Sequence, residues 1–230
     1  MTRAFSLVLP VYQQADHIAQ VVEGFTAAIG ALGITHEIIL VPNGCTDRSE
    51  DICRDLARTI PSVRCLTTPS RGWGHAVRLG IDSIDPVAGE LIGYTNSART
   101  QPDDLVSVLA AALANPAAVT KAARHTRASP VRRIGSWLYN WQCRVLFGIQ
   151  ARDINGTPKI FAATKTPLRA LRRVDDLLDL ELLKICHRHS YPVLEVRIDE
   201  GRRHGGRSTT RWRTALRLYS GAIRMWLEDR

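Results

Sequence analysis

Five cysteines are scattered along 230 residues, at Cys45, Cys53, Cys65, Cys143 and Cys186, and no two form a Cys-x-x-Cys pair. An odd, dispersed set of this kind excludes a disulfide framework and a zinc centre, and predicts a reducing cytoplasm. The seven histidines make no His-Glu-x-x-His set. No apolar run approaches the roughly 20 residues of a membrane-spanning helix. The one at the start, in "MTRAFSLVLPVY", is too short for a signal peptide. These absences predict a cytoplasmic protein that at most touches the inner face of the cell membrane. Basic–aromatic RNA-binding signatures are missing as well, so nucleic acid is not an expected partner. There is no internal repeat and no interdomain linker.

What the chain does have is positive charge. Thirty-one Lys and Arg against 22 Asp and Glu leave a net +9. Most of the arginines lie in 121–173 and 197–230. A surplus of this size points to anionic partners, either phosphorylated ligands or anionic lipid.

The first half alternates strand and helix patterns. "FSLVLPVY" (5–12), "HEIILVPNG" (36–44), "SVRCLTT", "ELIGYTN" (90–96) and "AAVTKAAR" (117–124) are short apolar runs that read as strands. Between them, 16–32 (with Asp16 as N-cap), 46–60, 74–84 and 103–115 carry helical spacing. The second half predicts a helix at 131–147, a strand around 153–162, a helix at 177–189, a strand at 191–198 and a last helix from Thr210. Such alternation implies an α/β fold, a mostly parallel central sheet with helices on both faces. Ligands then sit outside the carboxyl ends of the strands. The boundaries expected are a main domain over 1–209 and a C-terminal amphipathic helix over 210–230.

Seven segments carry a further signal in their order: "SLVLPVYQQADHI", "EIILVPNGCTDRSED", "RGWGHAVRLGI", "GELIGYTNSARTQPDDL", "DINGTPKIF", "DLELLKICHRHSYPVLEVRI" and "RRHGGRST". Together they resemble family 2 glycosyltransferases of the GT-A fold, nearest to the polyprenyl-phosphate (dolichyl-phosphate) sugar synthases. The matching family patterns include P-x-Y-N-E, V-D-D-G-S-x-D and D-A-D-x-Q-x-P-P-E-D-L. The resemblance implies a nucleotide-diphosphate sugar as donor. Pro10, Tyr12, Gln14, Asn43, Asp47, Arg71, Gly74, Asn96, Ser97, Arg203, Arg207 and Ser208 would form its site. It implies polyprenyl phosphate, or another anionic acceptor, near Arg127, Arg133, Ser136 and Lys159. Asp179 and Glu181 match an acid pair that serves as general base when the acceptor is a hydroxyl.

The departures from those patterns are coordinated. Gln14 stands for a glutamate, Pro42 and Asn43 for two aspartates, and Thr95 and Ser97 for the two aspartates of the metal motif. Each change is from acid to neutral. Mg2+ or Mn2+ would find only hydroxyl and amide oxygens, with a weak hold at Ser97 at best, because hard cations favour carboxylates. Arginine binds phosphate bidentately and keeps its charge, so Arg99, Arg71, Arg203 and Arg207 are candidates to replace the metal. Arg99 joins Asp179 and Glu181 as a catalytic candidate.

Individual residues also have plainer readings. Asp47 suits a helix start, Asn43 a turn before Gly44, and Gly74 a simple loop. The aromatics of 137–147 suit the core behind a solvated basic face. Trp212, Leu216, Tyr219, Ile223 and Trp226 form a stripe suited to packing or to a membrane interface. Two function classes follow: an inverting glycosyltransferase with a phosphate or hydroxyl acceptor, or a non-catalytic protein of the same fold that binds nucleotide or lipid phosphate.

Overall fold

The computed structural model describes residues 4–125, 130–199, 203–205 and 212–229; the side chains of 130–132, 212 and 213 lie outside that description. Seven strands form one sheet: β1 (Phe5–Val11), β2 (His36–Pro42), β3 (Val63–Cys65), β4 (Leu91–Tyr94), β5 (Val119–Arg124), β6 (Lys159–Ala162) and β7 (Val193–Ile198). Their spatial order is β3-β2-β1-β4-β6-β5-β7. Only β6 runs against the others, wedged between β4 and β5.

Helices α1 (Ile18–Gly30), α2 (Ser49–Thr59) and α4 (Pro102–Ala114) contribute to the core on one face of the sheet. Helices α3 (Trp73–Asp82), α5 (Pro130–Phe147), α7 (Leu178–Arg188) and α8 (Trp212–Glu228) contribute to the other, with the short α6 (Thr166–Arg169). Strand side chains alternate between the two cores. In β2, Ile38 and Leu40 enter the first and Ile39 and Val41 the second. A strand covered on both faces must be apolar at every position, which explains the unbroken runs in β1 and β2.

Several local expectations change. Asp16 is not the cap of α1: the helix begins after His17 without a side-chain cap, and the Asp16 carboxylate lies 2.5 Å from His17 Nδ1. In α8 the stripe that reaches the core is Ala222 and Met225, while Leu216 and Ile223 face outward. In α5, Tyr139 is buried but Trp137 and Trp141 are exposed. Helix α8 packs on α5 through Tyr219, whose hydroxyl donates to Gly135 O at 2.5 Å and whose ring meets Tyr139 edge-on.

Candidate active site

Strands β1, β2 and β4 are parallel and end side by side, so the loops after them share one rim of the sheet. The first two loops are clamped together. Gln13, held at a positive φ of 51°, accepts from the amides of Thr46 and Asp47 and donates to Thr46 Oγ1. Asp47 answers from the other side, accepting from Ala15 N at 3.2 Å and Ser49 N at 3.1 Å. Burial would raise the Asp47 pKa. The hydrogen bonds from Ser49 and from the Ala15 amide outweigh it and hold the carboxyl below its ordinary value. Gln13 carries no strong sequence signal; its backbone conformation is what turns it toward the β2 loop.

The third loop, 95–101, is tied to itself and to the first. Ser97, fully buried, donates to Gln14 Oε1 at 2.8 Å and to Pro10 O at 3.2 Å. Thr95 and Thr100 share a hydrogen bond of 2.7 Å. Asn96 Oδ1 accepts from Ala98 N, a local Asx turn. Residues 203–205 dock on this loop. His204 N donates to Ala98 O, and its ring Nε2 donates to Thr100 O at 2.8 Å. The His204 ring stacks on that of His17, 6.4 Å between centroids. A Cβ on Gly205 would lie 2.5 Å from the Asp16 carboxylate and 2.7 Å from the His17 ring, so a larger residue there would require those side chains to shift. Thr100, His17 and His204 were not legible as site-building residues, since their partners are remote in sequence.

Asn43 sits at the centre of the rim with its amide engaged. Its Nδ2 donates to Val11 O and Val41 O, and its Oδ1 accepts from Gly72 N. It therefore joins three loops rather than presenting an unoccupied amide to a nucleobase. Gly74 makes a close approach, but to protein: a Cβ there would collide with the backbone of Val174 and Asp175, and His75 N donates to Val174 O. Arg71 is exposed, its guanidinium 4.2 Å from the centroid of the Tyr12 ring. A stacked guanidinium keeps its edge donors available to an anion. Arg99 is half-buried in the third loop, and Arg203 Nε donates to Gly205 O at 2.6 Å. Pro10, Tyr12, Gln14, Asn96, Ser97 and Arg71 are thus gathered on one rim with Arg99 and Arg203.

The acceptor-side acids are committed elsewhere. Asp179 is buried and accepts from Lys159 Nζ at 2.5 Å and from Tyr94 OH at 2.8 Å. Lys159, expected at the acceptor phosphate, is wholly buried. Desolvation pushes its pKa down to about 8, with Asp179 opposing the fall. Burial together with the neighbouring Asp179 charge raises the Tyr94 hydroxyl well above its ordinary value. Glu181 accepts from the backbone amides of Arg172 and Arg173. Arg133 is exposed and Ser136 half-buried on α5. Arg127, Arg207 and Ser208 lie outside the described residues.

A divalent cation does not fit the residues of the third loop. Thr95 and Ser97 supply no carboxylate and spend their hydroxyls within the chain. Among the described residues no group of three His, Cys, Asp or Glu could hold a metal ion.

The family model for glycosyl transferase family 2 matches residues 6–169, and the chain belongs to that family. It is similar to undecaprenyl-phosphate 4-deoxy-4-formamido-L-arabinose transferases. The protein from Shewanella sediminis is 27% identical over 152 residues, 64% of this chain and 45% of its own. That from Edwardsiella ictaluri is 33% identical over 81 residues, 34% of this chain and 25% of its own. The chain therefore spans less than half the length of these curated relatives. Among solved structures it resembles glucosyl-3-phosphoglycerate synthase from Mycobacterium tuberculosis in complex with Mn2+, uridine diphosphate and phosphoglyceric acid. The TM-score is 0.74 at 15% identity, covering 97% of this chain and 78% of that one. At that identity the likeness establishes the fold, which is GT-A.

Proposed function

We propose that this chain transfers a sugar from a nucleotide-diphosphate donor to polyprenyl phosphate at the cytoplasmic face of a membrane, with inversion. An acceptor phosphate oxygen attacks the anomeric carbon as the bond from that carbon to the diphosphate breaks, and the nucleoside diphosphate leaves with the electron pair. Arg71 and Arg99, with Arg203 and Arg207, offset the charge that develops on the diphosphate, in place of a carboxylate-held metal. Arg127, Arg133 and Ser136 receive the acceptor phosphate.

The observation that carries the choice of acceptor is the commitment of Asp179 and Glu181. A hydroxyl acceptor needs a base to take its proton. Asp179 is neutralised by Lys159 and hydrogen-bonded by Tyr94, and Glu181 is bound to two backbone amides. An ionised phosphate needs no base. The low charge of the third loop and the engagement of Asn43 favour a second reading, a protein that binds the donor without transferring it.

Incubation of labelled nucleotide sugars with short-chain polyprenyl phosphate and, in parallel, with sugar-hydroxyl acceptors tests the proposal. Product on the phosphate acceptor alone is the expected result. Product on the hydroxyl acceptors alone overturns the choice of acceptor. Binding of the donor without any product supports the second reading.

A further inference from the structure

Among the described residues, Gln13 and Ser190 are the two that hold a positive φ without being glycine, at 51° and 52°. Ser190 directly follows His189, the C-terminal cap of α7, where a left-handed residue ordinarily closes a helix. Gln13 closes no helix. It stands two residues past the end of β1, and glutamine is not among the residues that take this conformation readily. Strain of this kind persists only where surrounding contacts enforce it, and it gathers at functional sites.

The enforcing contacts are specific. Gln13 Oε1 accepts from Thr46 N at 2.7 Å and from Asp47 N at 3.3 Å, and Nε2 donates to Thr46 Oγ1 at 2.7 Å. Both ends of the amide are therefore engaged by the loop after β2. Beside it, Gln14 N donates to the buried Ser49 Oγ at 2.7 Å. The two neighbours of Gln13 reach the other loops. The Tyr12 ring lies against the Arg71 guanidinium, and Gln14 Oε1 accepts from Ser97 Oγ. Three consecutive residues thus grip the loops that follow β2, β3 and β4. A change of φ at residue 13 would rotate Tyr12 relative to Gln14, because φ and ψ are the soft torsions of the chain.

We infer that Gln13 is a positioning residue of the donor site. Its clamp on Thr46 and Asp47 holds the left-handed turn that aims Tyr12 at Arg71 and Gln14 at Ser97, so the rim is set before a donor arrives. Thr95 and Ser97 supply no carboxylate through which a cation could gather the loops, so contacts within the chain must hold them. The inference rests on the reading that this rim takes a nucleotide-diphosphate sugar, and it deepens that reading.

Two substitutions separate the turn from the clamp. Gln13→Ala removes the clamp and leaves a residue that resists positive φ. Gln13→Asn, one methylene shorter, also lets go of Thr46 and Asp47 but takes the left-handed region more readily. Calorimetric titration with UDP, GDP, CDP and ADP reads the outcome on whichever nucleotide wild type binds. Gln13→Ala should weaken affinity about tenfold, and Gln13→Asn only about threefold. Exchange of the Thr46 and Asp47 amide hydrogens should quicken in both variants. Their melting temperatures should agree within a few degrees, so that the recovery in Gln13→Asn is one of position and not of stability. Equal losses in the two variants, or a Gln13→Ala affinity equal to wild type, would overturn the inference. Should Gln13→Ala not fold, Gln13→Gly decides in its place: glycine takes the turn freely, so a tenfold loss there would overturn the inference and a threefold loss would support it. Wild type that binds none of the four nucleotides would overturn both this inference and the donor site. Transfer to short-chain polyprenyl phosphate is measured in parallel. Affinities in the expected order without transfer remove the proposed reaction alone, whereas transfer with affinities unchanged across the variants removes the role of Gln13 alone.

Discussion

Ser97 Oγ donates a hydrogen bond of 2.8 Å to Gln14 Oε1, joining two positions that by resemblance would both be acids. Two carboxylates at that distance would repel unless a cation lay between them. A hydroxyl and an amide hold the same two loops together without one.

The first prediction concerns this pair. Ser97→Asp puts a carboxylate in a fully buried position whose neighbours, Gln14 Oε1 and Pro10 O, are both acceptors. The cost should be about 1–3 kcal/mol, which for a chain of this size lowers Tm by roughly 2–4 °C per kcal/mol. Calorimetric scans should show the loss, and millimolar Mn2+ should reverse part of it in the variant while leaving wild type unchanged. A variant as stable as wild type would mean that the pair does not set the loop.

The second concerns Lys159. Removing it leaves Asp179 buried without its charge partner, so Lys159→Met should cost roughly 3–5 kcal/mol. Lys159→Met/Asp179→Leu should recover most of that loss. Denaturant titration of the three proteins decides the matter.

A pH dependence follows from the same lysine. Its folded pKa of about 8 lies below the ordinary value of 10.5, so across that window the unfolded chain binds more protons than the folded one. The burial penalty is fully present below pH 8 and is relieved as pH rises toward 10.5. Wild-type stability, measured relative to the Lys159→Met/Asp179→Leu variant, should therefore climb through this interval. A flat difference would show that Lys159 titrates normally.

The arginine reading is tested by binding. Arg71→Ala and Arg99→Ala should each weaken nucleoside-diphosphate affinity about tenfold in calorimetry, equivalent to about 1.4 kcal/mol. Arg71→Lys should recover only part, because it loses both the stack on Tyr12 and the planar fork. Unchanged affinities would remove these residues from the donor site.

The alternation of apolar runs and helical spacing made the fold legible: β1, β2 and α1 through α4 fall close to where periodicity puts them. What could not be read were relationships between remote segments. Strand β6 inserts between β4 and β5 through pairing over long sequence separations, and no local pattern marks its direction. Gly74 belongs to the donor site by resemblance, but its close neighbour is Asp175, a hundred residues on. At the site, residue identities pointed to the right rim, yet Asn43, Asp179 and Glu181 are polar groups whose hydrogen bonds are spent inside the chain. Trp137 and Trp141 showed the converse, since aromatic content alone suggests core and only three-dimensional packing shows which face of α5 is left uncovered.

The most direct measurement is sugar transfer from the nucleotide donor to polyprenyl phosphate with EDTA present. Arginine stabilisation of the leaving diphosphate predicts a rate within about twofold of the rate without EDTA. Transfer abolished by EDTA and restored by added Mg2+ or Mn2+ would contradict it.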